Sequence, residues 1–257
     1  MIATNGTEMH PHKALERARR QWTTLGKEDP LWAVLTEPGK RRGGWDHRAF
    51  FETGAVEIDK AIATAQRFAA IRFGAAVDFG CGVGRLSQAL ATHFETVTGV
   101  DISGPMILAA GRLNRFPERC RYVHNVAPDL AVLESGSADL VYSSITLQHV
   151  VPDLARGYIR EFFRVAARGA HVIFQLPSRP RSSAWNWVKK AAPVAFTNFL
   201  WRLRTGSPEA IETYFTPEAS VKELVQQSGG TVLFVESDRN GPPGWESRQY
   251  FCVRTPK

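Results

Sequence analysis

The stretch Ala75–Ser103, AAVDFGCGVGRLSQALATHFETVTGVDIS, constrains the fold of this chain more than any other. Two short apolar runs, Ala75–Phe79 and Thr96–Val100, flank a segment in which Leu86, Leu90 and Phe94 recur every four residues. Short apolar runs separated by a helical period specify strand, helix and parallel strand. The run Gly80-Cys81-Gly82-Val83-Gly84 falls where the first strand turns into the helix. A turn that lets a ligand lie against bare backbone cannot carry Cβ atoms, and positive φ favours glycine. In such folds ligands bind outside the carboxyl ends of the strands.

Two carboxylates flank the glycines. Asp78 lies just before the loop, and Asp101 ends the second strand, near the place where a dinucleotide fold puts its ribose-binding acid. The dinucleotide fingerprint needs a third glycine three positions after the second, and Arg85 stands there instead. Asp78 would also bring negative charge close to a diphosphate. S-adenosylmethionine fits better: it has ribose hydroxyls for Asp101, and an ammonium and a sulfonium for Asp78. On these residues, VDFGCGVGRL resembles the first motif, and GVDIS the second, of the class I S-adenosylmethionine-dependent methyltransferases. The likeness extends more weakly from about Trp45 to the C-terminus. It implies an α/β fold with a Rossmann-like, seven-stranded, mostly parallel sheet and helices on both faces. Residues 1–72 would form an N-terminal helical cap over a methyltransferase domain at 73–257, with a helical lid insertion at 178–215 after the fifth strand.

The resemblance implies a donor site built from Asp78, Gly80, Gly82, Gly84, Arg85 and Asp101. Ile102 and Met106 sit where a flat adenine needs walls, and Ser103 can cap a helix from about Pro105 to Leu113. Arg121–His124 reads as a third strand with Asn125 and Val126 at its carboxyl end. The Asn125 amide either reads the adenine amine or closes a simple Asx turn. Ala138–Ser144 resembles the family's fourth strand, and the segment from Ser143 and Ser144 to Val150 would form the floor between cofactor and acceptor. Asp153–Ala167 is spaced as a buried helix, and Ala170–Gln175 as a buried strand.

If the acceptor is a hydroxyl, a base helps, and His149 is the best candidate because imidazole titrates near neutrality. Asp153 stands at i+4 from it, where a helical turn would let it orient the imidazole or bind a divalent ion. Two ligands at that spacing argue weakly for metal, and none is expected. Gln148 and Tyr214 are further candidate acceptor contacts. Trp45, Phe50 and Phe51 either wall the site or pack their helix on the sheet. Thr53–Val56 leads into that helix, whose apolar positions include Ile58, Ile62, Ala65, Phe68 and Ala69. Earlier, Lys13–Leu25 forms a helix with Leu15, Ala18, Trp22 and Leu25 on one face. Asp29 and Pro30 start a short helix, and Lys40–Gly44 reads as a solvated basic loop.

Between Arg179 and Arg204 there are six basic residues and no acidic one, interleaved with Trp185, Trp187, Phe196, Phe199 and Trp201. This segment reads as a lid carrying Trp185 to the acceptor, as a peripheral contact with an anionic membrane, or as a homodimer contact. No nucleic-acid-reading module accompanies it. Thr216 and Pro217 open the next helix, which runs to about Gln227. Thr231–Glu236 and Arg248–Val253 complete the sheet as an antiparallel pair, and the loop Arg239–Trp245 belongs to one of its two ends.

The 257 residues allow one elaborated domain, and the net charge of +7 permits an acidic partner without requiring one. Three scattered cysteines form no CxxC pair, and the N-terminus has no apolar core of signal-peptide length. These features agree with a cytoplasmic enzyme. The function expected is methylation of a hydroxyl on a small molecule or sugar, in secondary-metabolite or cell-surface glycan biosynthesis. N- or C-methylation of a small metabolite, or work on a lipid-linked acceptor, are the alternatives.

Overall fold

A computed structural model describes residues 11–181, 212–238, 241–242 and 244–255. The helix pair expected around Pro193, and with it Trp185, lies outside the described residues.

Seven strands form one sheet in the order β3-β2-β1-β4-β5-β7-β6. They are β1 (Ala75–Phe79), β2 (Thr96–Asp101), β3 (Cys120–His124), β4 (Ala138–Ser143), β5 (Ala166–Pro180), β6 (Gly230–Asp238) and β7 (Trp245–Arg254). The first five run parallel, while β7 is antiparallel to both neighbours. The order reverses between β1 and β4, so a crevice opens at their carboxyl ends. The glycine loop follows β1 directly into that crevice.

Strand alternation sorts the core into two layers. Val77 and Phe79 of β1 join Val141, Val172 and Phe174 under α6 (Pro152–Val165) and α7 (Glu218–Gln227). Ala76 joins Leu140, Tyr142 and Ile173 under α3 (His47–Gln66) and α4 (Arg85–Leu90). A third cluster ties the N-terminal segment to α5 (Gly104–Leu113). Leu25 of α1 (Pro11–Glu28) and Trp32 of α2 (Pro30–Val34) pack there with Trp45, Phe50, Val83 and Met106.

Several local readings change. α3 starts at His47, where Asp46 caps it by accepting the Ala49 N–H at 2.8 Å, and runs straight through Thr53–Val56. Gly54 is therefore mid-helix; a Cβ there would lie 2.5 Å from the Arg85 carbonyl oxygen, so this glycine allows α3 and α4 to cross closely. Phe68 and Ala69 lie past the helix end, and Phe68 is half-exposed and stacked on Phe234. Thr216 does not cap α7: its N–H donates to the Pro177 carbonyl, and the helix begins at Glu218 after Pro217. Asp29 and Ser103 cap α2 and α5 as expected, accepting from Trp32 and Met106 N–H groups. The basic loop is less solvated than its composition implies. Arg41 lies over the Trp32 ring at 4.7 Å and Lys40 over Trp45 at 5.0 Å.

Candidate active site

The crevice is a cleft of about 670 Å³ that reaches from the glycine loop to α1. Its donor half is built on backbone. The Gly80 and Cys81 N–H groups both donate to the Val100 carbonyl, at 2.8 and 3.1 Å. Gly80 and Gly82 have φ of 75° and 52°. A Cβ on Gly80 would sit 2.1 Å from Thr146 Oγ1, and one on Gly82 2.5 Å from Val34. No other residue type fits this cradle without displacing its walls. Asp101 locks the loop to the next strand: its carboxylate accepts the Gly82 N–H at 2.9 Å and the Ser103 N–H at 2.8 Å. Burial pushes the Asp101 carboxyl up, and these two N–H groups pull it back. Gly80, Gly82, Arg85, Asp101, Ile102, Met106, Asn125 and Ser144 all line the cleft.

Other residues expected at the donor stand behind it. Asp78 is 1% exposed, does not line the cleft, and accepts from Ser87 Oγ at 2.6 Å. Gly84 takes its φ of 83° to start α4 and leaves room for the Tyr122 hydroxyl, 2.3 Å from where a Cβ would be. Ser143 donates to the Phe79 carbonyl from the sheet interior, and Val126 is exposed to solvent. The Asn125 amide closes its own turn, donating to the Asp129 carbonyl and accepting from the Ala127 N–H. Arg85 lines the cleft, but its guanidinium is tied to Glu57 at 2.8 Å and Thr53 at 3.3 Å.

The acceptor half is largely apolar, walled by Leu15, Ala18 and Trp22 of α1, by Val151, and by Leu154 and Tyr158 of α6. The apolar face of the first helix thus partly faces the cleft rather than the core. At this end His149 lies beside Trp22, with ring centroids 5.3 Å apart. Its Nδ1 is 2.8 Å from the Glu212 carbonyl, and its Nε2 is 2.9 Å from the Gln148 amide nitrogen. Burial lowers the His149 pKa from 6.5 to about 4, so the imidazole is neutral at physiological pH. The Glu212 carboxylate bridges Arg17, at 2.7 Å, and the Tyr214 hydroxyl. Gly241 and Pro242 also line the cleft, which puts the β6–β7 loop at the active-site end. Glu212, Arg17 and Trp22 are site residues that sequence reasoning missed; they meet across long stretches of chain and leave no local pattern.

Asp153 does not join His149. It is exposed and paired with Arg156. His149 belongs to a three-residue 3₁₀ turn, Leu147–His149, and Val150 and Val151 are extended before α6 begins, so no helical i, i+4 face exists. Trp45 and Phe51 do not line the cleft either. Trp45 donates to the Leu35 carbonyl at 3.0 Å, and Phe51 packs under Arg115 at 4.6 Å. Both serve the N-terminal core.

Residues 77–174 match the family described as a methyltransferase domain. Over those residues the chain is similar to a methyltransferase domain, in keeping with the motifs at Asp78–Arg85 and Asp101. The ubiquinone biosynthesis O-methyltransferase of Cronobacter sakazakii is 32% identical over 109 residues, which cover 42% of this chain and 44% of that protein. Its counterpart in Aromatoleum aromaticum is 37% identical over 81 residues, 31% of this chain and 34% of that one. The chain thus spans less than half the length of these curated relatives. Among solved structures, magnesium protoporphyrin IX methyltransferase of Synechocystis PCC 6803 with bound SAH superposes with a TM-score of 0.63 at 21% identity. That match covers 94% of this chain and 100% of the other and extends the fold likeness well beyond the methyltransferase domain. The domain's glycine cradle and the acid ending β2 fit its methyl donor: they offer bare backbone, and a carboxylate at a strand end.

Burial of Asp78 raises its pKa from 3.8 to about 7, with Ser87 acting in the opposite sense. The folded carboxyl therefore keeps a proton that the unfolded one loses above pH 3.8, and this group's contribution to stability falls as pH rises from about 4 to 7. Asp78→Asn is expected to match wild type near pH 4 and to exceed it by a few kcal/mol at pH 8, at about 1.4 kcal/mol per pKa unit. Urea melts of both proteins at the two pH values check this. A gap that does not grow with pH would refute it.

Proposed function

We propose that this chain transfers a methyl group from S-adenosylmethionine to a hydroxyl of a small, largely apolar molecule. The observation that carries this reading is one cleft with two unlike halves: the glycine cradle and Asp101 at one end, His149 among apolar walls at the other. Bound in the cradle, S-adenosylmethionine supplies an electrophilic methyl group. Asp101 is assigned to the ribose hydroxyls, and Ile102 and Met106 to the faces of the adenine. Asp78, behind the loop, contributes negative potential toward the cationic end of the donor once it loses its proton, above about pH 7.

Much of methyl transfer is positioning. α1 and α6 would hold the acceptor by its apolar surface and exclude water. Gln148 and Tyr214 would meet its polar end. His149, neutral and in reach of that end, would take the hydroxyl proton as the new bond forms. The relatives' name, O-methyltransferase, supports oxygen as the acceptor atom. The apolar walls favour a hydrophobic metabolite over a glycan, whose hydroxyls would need more partners. A cytoplasmic enzyme on a small-molecule pathway fits; among the described residues no helix is long and apolar enough to cross a membrane.

The test is turnover with S-adenosylmethionine against a panel of hydroxylated aromatic and alicyclic compounds, read by mass spectrometry as product plus one methyl. His149→Ala is expected to lower kcat by about 10²–10⁴ while leaving donor affinity unchanged. No turnover with any hydroxyl acceptor, alongside turnover of amines, would refute the reading.

A further inference from the structure

The acceptor end of the cleft holds a chain of hydrogen bonds whose direction is set at both ends by backbone. At one end the Ile145 N–H lies 3.2 Å from Gln175 Oε1. A backbone N–H only donates, so the Gln175 carbonyl oxygen faces it and the Gln175 NH₂ points the other way. That NH₂ donates to Gln148 Oε1 at 3.2 Å, which turns the Gln148 NH₂ onto His149 Nε2 at 2.9 Å. An amide NH₂ only donates, so Nε2 bears the lone pair. At the other end the Glu212 carbonyl, which only accepts, stands 2.8 Å from Nδ1, so Nδ1 bears the proton. Followed from either end, the imidazole has the same tautomer.

Gln175 is the link with no other evident purpose. It is 1% exposed on β5, among Val172, Ile173, Phe174 and Leu176, and it does not line the cleft. A buried amide in such a strand is unfavourable unless its hydrogen bonds are made. The segment it holds is strained: Ile145 has φ of 58°, a left-handed conformation that a β-branched residue adopts only under constraint.

We propose that Gln175 is a positioning residue that, through Gln148, holds His149 as the Nδ1–H tautomer with its Nε2 lone pair in the acceptor half of the cleft. Use of that lone pair rests on the methyl-transfer reading; the tautomer does not. When the acceptor O–H breaks, its electron pair stays on oxygen and the proton joins Nε2. The Gln148 NH₂ must first swing off Nε2, because two donors cannot face each other. Gln148 therefore withholds the base until an acceptor displaces it.

Gln175→Glu reverses the chain. A carboxylate only accepts, so it takes the Ile145 N–H and draws the Gln148 NH₂ toward itself. Gln148 Oε1 then faces Nε2, His149 lies between two acceptors, and both ring nitrogens need protons. Among the described residues the charged and titratable groups at this end are Arg17 and Glu212, paired with each other, Tyr214, bonded to Glu212, and Tyr158, whose hydroxyl donates to the Ala127 carbonyl. Asp153 points to solvent beside Arg156. All are the same in wild type and variant. The experiment is ring ¹⁵N NMR of His149, assigned by its loss in His149→Asn. In wild type a neutral Nδ1–H ring that does not titrate between about pH 5.5 and 8 is expected. In folded Gln175→Glu a proton affinity raised about a thousandfold or more, with the imidazolium present at pH 7, is expected. An Nε2–H tautomer in wild type, or a neutral ring in the folded variant at pH 7, overturns the proposal. If the variant does not fold, Gln175→Met is measured instead: release of Gln148 is expected to shift the His149 Nε2 resonance, and an Nε2 shift identical to wild type overturns the proposal. Correct NMR without turnover refutes the methyl-transfer reading and leaves Gln175 its role.

Discussion

Glu57→Ala is expected to destabilise the protein by about 3–5 kcal/mol, the loss that follows when one partner of a buried ion pair is removed. In a chain of this length that lowers Tm by roughly 10 °C. Glu57 sits on α3 and joins three other elements. One carboxylate oxygen takes the Arg85 guanidinium of α4 at 2.8 Å, and the other takes the Tyr142 hydroxyl of β4 at 3.1 Å. Gln249 of β7 donates to the same hydroxyl. The Arg85 side chain is 4% exposed, and its Nε already lacks a partner. Alanine would leave the guanidinium buried with only the Thr53 hydroxyl. The double variant Glu57→Leu with Arg85→Met, which removes both charges together, is expected to recover much of the loss. Thermal melts of the three proteins check this. A loss under 1 kcal/mol for Glu57→Ala would mean that the network is solvated and does not anchor the helical cover.

Asp101→Ala is expected to weaken S-adenosylmethionine binding by about a hundredfold or more. Two losses combine. The variant lacks the carboxylate assigned to the ribose, where a charged hydrogen bond contributes about 1.5–3 kcal/mol. It also strands the Gly82 and Ser103 N–H groups that Asp101 now accepts, so the cradle itself loosens. Asp101→Asn keeps an acceptor for one of them and is expected to fall between alanine and wild type. Calorimetric titration of the three proteins measures it, and unchanged affinity in the alanine variant would remove Asp101 from the site.

The features legible in the sequence are those written in neighbouring residues. Ala75–Phe79 is a strand at those very limits, because a buried parallel strand is a continuous apolar run. Asp29 and Ser103 cap their helices because capping depends on the next three residues. The motif resemblance likewise reached the seven-stranded topology with its antiparallel β7. Pairing over distance left no trace. Nothing near Arg85 points to Glu57, and nothing near His149 points to the Glu212 carbonyl or the Trp22 ring. Gly54 misled because a glycine suits a helix start and a close helix crossing alike, and only the Arg85 carbonyl beside it decides. Asp153 misled because its spacing from His149 has meaning only on a helix, and an extended Val150-Val151 intervenes. Trp45 and Phe51 left two readings open because an aromatic stripe fills a core as readily as it walls a cleft, and the core took them.

The most direct measurement is the titration of S-adenosylmethionine into the wild-type protein, followed by calorimetry beside the Asp101→Ala variant. Saturable binding of one donor per chain, weakened about a hundredfold or more by the substitution, is the expected result. Absence of binding to wild type at millimolar donor would contradict the assignment of the glycine cradle and of the function built on it.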